Sequence, residues 1–283
     1  MPFAALRLAA AVVSCVAVLA CDGQSTQRNT KLAGTHYLLA ADLVRKRNPE
    51  GAKAELMRAL ELDPDNRDAH QLLGVVFYLE GVHAMNFLER EQCLEGRAAQ
   101  EQREVANERF RRAEQHLARS VKLAAQERTI QSEDLTNLAS VALHFKRYDE
   151  AIQHCDKALQ NILFTNRFTA LGNRGWAYFL KGDRVRAARD LRQALFYQPK
   201  FCIGRYRLAK VYYEEREYAK VITELKHVTD DKDCPIQEPF QLLGLTYGRL
   251  RQTEEARQQF DRCVALNPKS CISLECRRYV KLI

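Results

Sequence analysis

FQLLGLTYGRLRQTEEARQQFDRCVALNP, residues Phe240 to Pro268, is the stretch that decides the fold. Phe240, Leu243, Gly244 and Tyr247 fall at the three- and four-residue steps of a single helix face. After a polar break, Ala256 and Phe260 open a second face with a four-residue step. Pro268 then removes a backbone donor and stops that second helix. Gly244 and Ala256 are small enough to let two antiparallel helices approach closely, and the aromatics fill the space on either side. The stretch therefore predicts two helices packed back to back.

The same spacing returns along the chain. One copy reads Leu171-x3-Gly175-x2-Tyr178, Ala187-x3-Leu191-x2-Ala194, Pro199, and a weaker one Leu208-Ala209-x2-Tyr212, Val221-x3-Leu225-x2-Val228. Others are Leu138-Ala139-x2-Ala142 with Ala151-x3-Cys155-x2-Ala158, and Leu39-Ala40-x2-Leu43 with Ala52-x3-Leu56-x2-Ala59, Pro64. The last begins Leu73-Gly74-x2-Phe77, but its second helix resumes only at Ala113-x3-Leu117-x2-Ser120. This pattern resembles the tetratricopeptide repeat, whose period is about 34 residues. A lone helix pair cannot bury its own face, so neighbours stack into a continuous core. The expected fold is all-α: a superhelical array of about six tetratricopeptide helix pairs over residues 33–270, with a capping helix at 271–283. Ile272, Leu274, Cys276, Tyr279, Val280 and Leu282 give that last segment its apolar face. The repeat that begins at Leu73 therefore holds about 27 residues beyond the period of about 34, within an insert spanning 79–112. It lacks proline, and Val82, Met85 and Leu88 keep a helical stripe, so two lengthened helices are expected.

Residues 1–20 carry one early positive charge, Arg7, and then an uncharged run from Leu8 to Ala20, which is the pattern of a secretory signal peptide. The run is too short to span a bilayer, which needs about 20 apolar residues. It ends Val18-Leu19-Ala20-Cys21, which resembles the bacterial lipobox, and the resemblance implies that Cys21 is acylated and starts the mature chain. An ordinary cleaved signal is the alternative, and Cys15 is a poorer candidate because it would leave too short an apolar core. Two or three acyl chains, at about 0.8 kcal/mol per buried methylene, make a permanent anchor. Residues 21–32 are polar and read as a flexible tether.

The formal charge of +8 is spread along helices among acidic residues rather than gathered in one run. For an exported chain this favours anionic lipid headgroups or an acidic protein surface over nucleic acid. Nine cysteines include Cys15 and Cys21. Antiparallel helices bring the start of one repeat's first helix near the end of its second, which makes Cys202–Cys234 the leading disulfide. Cys263–Cys276 is a further pair, with Cys263–Cys271 as the fallback, while Cys93 and Cys155 look solitary. Cys155 stands where other copies place a core side chain and reads as a small buried hydrophobe. Cys271-x4-Cys276 lacks a second ligand pair, so no metal site is expected. There is no Gly-rich phosphate loop, no HExxH and no GxSxG, so no catalytic residue, cofactor or small-molecule substrate is expected.

The first helix of each repeat lines the concave face. Its outward residues, Trp176, Phe179 and Leu180, then Tyr206 and Tyr213, with Tyr78 and Leu143 toward the N-terminus, are the candidates for partner contact.

A lipobox followed by such repeats resembles the type IV pilus pilotin lipoproteins, of the Tgl, PilF and PilW type. Asn137-Leu138-Ala139, Tyr148-Asp149-Glu150-Ala151, Asn173-x-Gly175-Trp176-Ala177, Gly182-Asp183 and Leu195-Phe196-Tyr197-x-Pro199 carry the likeness. The resemblance implies a non-enzymatic scaffold, lipid-anchored at the outer membrane, that binds the pilus secretin and promotes its insertion and multimer assembly. Asp22 leaves the inner membrane as an alternative site of retention. Other periplasmic adaptors, for peptidoglycan enzymes or for outer-membrane protein assembly, are the alternative function.

Overall fold

The computed structural model describes residues 27–127 and 129–283, and among these it contains helices and no strand. Cys21 and the signal segment lie outside the described residues. The helices are α1 (27–45), α2 (Pro49–Leu62), α3 (Arg67–Asn86), α4 (Gly96–Gln126), α5 (Ser132–His144) and α6 (Tyr148–Gln160). They continue as α7 (Arg167–Leu180), α8 (Arg184–Tyr197), α9 (Cys202–Glu214), α10 (Tyr218–Thr229), α11 (Glu238–Arg249), α12 (Thr253–Leu266) and α13 (Cys271–Val280). The all-α, paired-helix architecture is the one that the spacing predicts. The tether is shorter than expected, because the chain is already helical from residue 27. No glycine or proline falls between residues 27 and 33 to stop α1 from starting inside the polar segment.

Two compact units are distinguished, one ending at Val76 and the other spanning Phe77–Ile283. In the first, Ala33, Ala40, Ala52, Leu56 and Ala59 are fully buried, and His36 Nδ1 lies 2.6 Å from Glu55 Oε2 across α1 and α2. Asn48 caps α2 by accepting from the Gly51 amide at 2.9 Å, with Pro49 in the first turn.

In the second unit each first helix packs on its own second helix and on the next first helix, so α5, α7, α9 and α11 stand side by side. Close approach explains the small residues. A Cβ on Gly175 would come within 2.9 Å of the Leu191 side chain, and one on Gly244 within 2.6 Å of the Phe260 ring. Leu191, Leu225, Phe260 and Cys155 occupy the same place in successive second helices, and all are buried. Cys155 is a free thiol, and burial pushes its pKa up to about 12, so it packs as a hydrophobe.

The turns inside the helix pairs repeat one device. In five of the pairs the second residue past the first helix is left-handed: Arg47, Lys146, Gly182, Arg216 and Arg251. The amide that follows reaches back to a carbonyl of the last helical turn, as in Arg147 N to Ala142 O at 2.8 Å and Glu217 N to Tyr212 O at 2.9 Å. This is the Schellman closure, for which glycine has no Cβ penalty. Only Gly182 supplies glycine. Arg216 is exposed with φ 60°, so Arg216→Gly is expected to stabilise by about 0.5–1 kcal/mol, and Arg216→Ala to give no gain. Urea unfolding midpoints of the two variants check this.

The insert forms two lengthened helices, the end of α3 and the start of α4, joined through a π-helical turn at Phe87–Glu91. That turn lands on the C-terminal end of the unit. Arg90 Nη2 meets Glu238 Oε1 at 2.5 Å, and Asn267 Nδ2 donates to the Arg90 carbonyl at 2.6 Å. Cys93 and Cys271 lie at disulfide distance, with Cα atoms 4.6 Å apart. Cys93 is therefore not solitary, and Cys271 is not a partner for Cys263. The spacing could not show this, because the insert has no counterpart in the repeat and its landing place is 178 residues away in sequence. Cys202 and Cys234, and Cys263 and Cys276, also lie at disulfide distance, with Cα separations of 6.0 and 6.5 Å.

Candidate protein-binding groove

A groove of about 480 Å³ runs across the first helices α5, α7 and α9. Tyr78 of α3 lines it, as do Phe164, Asn166 and Phe201 from the connections before α7 and α9. Its floor is polar. Asn137, Asn173 and Arg207 each stand two residues before the small residue of their repeat, Ala139, Gly175 and Ala209. That equal register puts all three on the same side of adjacent helices.

The Asn173 amide donates to Ser140 Oγ at 2.9 Å and to the Thr136 carbonyl at 3.4 Å. Its own oxygen accepts from Arg207 Nη1 at 3.2 Å, and Nη1 also donates to the Gly172 carbonyl at 3.1 Å. Below the guanidinium lies the Trp176 ring, 5.5 Å from Arg207 Cζ to its centroid, and Trp176 stacks on Phe179 at 4.9 Å. Burial pushes the pKa of Arg207 down to about 10, which leaves it a cation at neutral pH. Phe201 edges the groove over two glycines, and a Cβ at Gly172 or Gly204 would lie 2.6 or 2.3 Å from its ring.

The aromatic residues singled out from the sequence fall in several settings. Trp176 and Phe179 are half-buried and stacked, and Trp176 meets the groove residue Arg207. Tyr78 lines the groove and packs edge-on against Phe110. Tyr206 and Tyr213 pack against the core around α9 and α11, and burial first, then the Glu238 carboxylate, raises the phenol pKa of Tyr206. Leu143 packs on the core of α5 and α6, while Leu180 is exposed at the end of α7. What the sequence reading missed is the polar floor. Its signal was present in the shared register of Asn137, Asn173 and Arg207, which a search for aromatic anchors passes over. The arrangement suits a polypeptide better than a small molecule, because amide side chains offer a donor and an acceptor to a main chain. Among the described residues, no three His, Cys, Asp or Glu side chains come together as metal ligands, and no helix is long and apolar enough to cross a membrane.

Tetratricopeptide-repeat family models match residues 37–84, 127–195 and 238–270. A curated relative is the type IV pilus assembly protein PilF of Pseudomonas aeruginosa. It is 26% identical over 215 residues, which cover 75% of this chain and 72% of that protein. Among solved structures, PilF of Pseudomonas aeruginosa matches with a TM-score of 0.60 at 21% identity, covering 88% of this chain and 98% of that one. PilW, described as a widely conserved type IV pilus biogenesis factor, matches with a TM-score of 0.64 at 18% identity, covering 86% and 97%.

Proposed function

We propose that this tetratricopeptide-repeat protein is an outer-membrane lipoprotein that binds the type IV pilus secretin and promotes its insertion and multimer assembly. The observation that carries the pilus assignment is the similarity to PilF across three quarters of the chain. The repeats supply a scaffold rather than a reaction centre, since stacked first helices present a continuous surface to a protein partner. Acylation at Cys21 holds the scaffold at the membrane, and Asp22 leaves the inner membrane as the other compartment to examine. Pilus-dependent motility then depends on this chain through the secretin.

Two measurements test the reading. Full-length chain captured from solubilised envelopes is expected to bring down the secretin, and a strain lacking it is expected to lose secretin multimers. Recovery of cell-wall hydrolases or barrel-assembly proteins in place of the secretin would move the function to a different envelope adaptor. Trp176→Ala tests the groove within this reading. The variant is expected to keep the helical circular dichroism and to bind the secretin roughly tenfold or more weakly, as for a buried aromatic anchor. Unfolding of the variant would place Trp176 in the core instead.

A further inference from the structure

The outward face of α8 carries a stripe that the packing of the helix does not use. Val185, Arg189, Arg192 and Phe196 follow at steps of four, three and four residues, so their side chains share one side of the helix. Ala187, Leu191 and Ala194 pack the opposite side into the array and are fully buried. Val185 is 79% exposed and Phe196 82%, and both arginines are exposed. Asp190, the acidic residue of α8, is buried and held by both arms of the Arg174 fork. Its 3.4 Å contact with the largely solvated Arg189 therefore leaves that arginine's charge to the outside.

The stripe runs into an apolar edge. Phe196 meets Tyr197 edge-on, with ring centroids 5.7 Å apart. The Arg167 guanidinium lies 5.9 Å from the Tyr197 ring and donates to the Asn161 carbonyl at 2.9 Å, which sets the α6–α7 connection beside the end of α8. Ile162 and Leu163, the next residues of that connection, are 85% and 81% exposed. Lys200 follows Phe196 on this edge, and beyond it the surface turns acidic at Asp230, Asp231 and Asp233 before α11. Phe196 projects at a helix end, and Ile162 and Leu163 project at a loop tip. A folded partner would need a matching recess for each of them. A bilayer receives projecting side chains without one: the apolar tips enter the headgroup layer while neighbouring cations stay with the phosphates.

We propose that Phe196, Ile162 and Leu163, together with Arg189, Arg192 and Lys200, form a face that rests on an anionic phospholipid bilayer. The inference rests on the lipoprotein reading for its access to a membrane, and adds to it the side of the repeat array that the membrane meets.

The full chain carrying Cys21→Ser, which removes the proposed acylation site, is mixed with vesicles of phosphatidylcholine alone or with phosphatidylglycerol added. Phe196→Trp in that background reports the face, because lipids brominated on their acyl chains quench an indole that enters them. Quenching beyond that of Trp176 alone is expected on the anionic vesicles, with binding about tenfold or more weaker to phosphatidylcholine alone. Raising the salt should weaken the anionic binding, a readout that needs no charge variant. Arg189→Gln with Arg192→Gln should weaken it about tenfold or more, and residues 1–20 are the same in both chains. Equal quenching on the two kinds of vesicle, or none on either, overturns the proposal. So does loss of secretin capture in the Arg189→Gln, Arg192→Gln chain with vesicle binding unchanged, which would make the stripe a protein contact. The mass of the Cys21 peptide from envelope-extracted native chain reads the anchor separately. An unmodified Cys21 with the quenching intact removes the anchor alone. An acylated Cys21 without the quenching removes the lipid face alone.

Discussion

Arg174→Met is expected to cost about 3–5 kcal/mol of folding free energy, and adding Asp190→Leu to return most of that loss. Asp190 on α8 is fully buried. Its two oxygens receive Arg174 Nε at 2.6 Å and Nη2 at 3.2 Å, and the third nitrogen of the fork reaches Asp156 Oδ1 on α6 at 2.7 Å. One side chain on α7 thus ties together three helices. The single variant leaves a carboxylate in the core beside Leu191 and Gly175 with only the 3.4 Å contact from Arg189, whose side chain is largely solvated. The double variant removes both charges and fills the site with apolar atoms, which is often neutral for a buried pair. Urea unfolding of wild type, both single variants and the double variant completes the cycle. A loss below about 1 kcal/mol in Arg174→Met would show that water reaches Asp190 and that the pair behaves as a surface pair.

Cys93→Ser is the second large effect. A Cys93–Cys271 bond closes a ring across 178 residues of sequence, and the chain-entropy account gives about 5 kcal/mol for a loop of that order. Arg90 with Glu238 and Asn267 with the Arg90 carbonyl remain in the variant, so the insert turn is expected to keep its place but open more often. Wild type under oxidising conditions should unfold at a clearly higher denaturant concentration than Cys93→Ser. Amide exchange in α13 should quicken in the variant. Peptide mapping without reductant identifies the linked pair directly, and Cys93 recovered as a free thiol from the oxidised protein would sink the prediction.

Much of the fold was readable because its determinants are local. Helix faces, the small residues at helix crossings and the prolines after α2, α8 and α12 act within one or two turns, and the period then relates each pair to the next. Cys202 near Cys234 and Cys263 near Cys276 followed from the same short-range geometry. Choosing aromatic side chains picked out Tyr78, which lines the groove, and Trp176, which meets its Arg207 and stacks on Phe179. It also gathered Tyr206, Tyr213 and Leu143, which pack against their own core. A spacing says that a residue lies on a helix face, not how much of that face the neighbouring helix covers.

Repeat spacing by itself thus determines that this chain is all-α and how its helices pair. Tertiary structure alone decides the rest. The insert's turn reaches α11 and α13, bringing Cys93 to Cys271 from the other end of the unit. Arg207 is left without an acidic neighbour while Arg205 and Arg174 find theirs. Both outcomes depend on distances between segments far apart in sequence, and local periodicity carries no information about those distances.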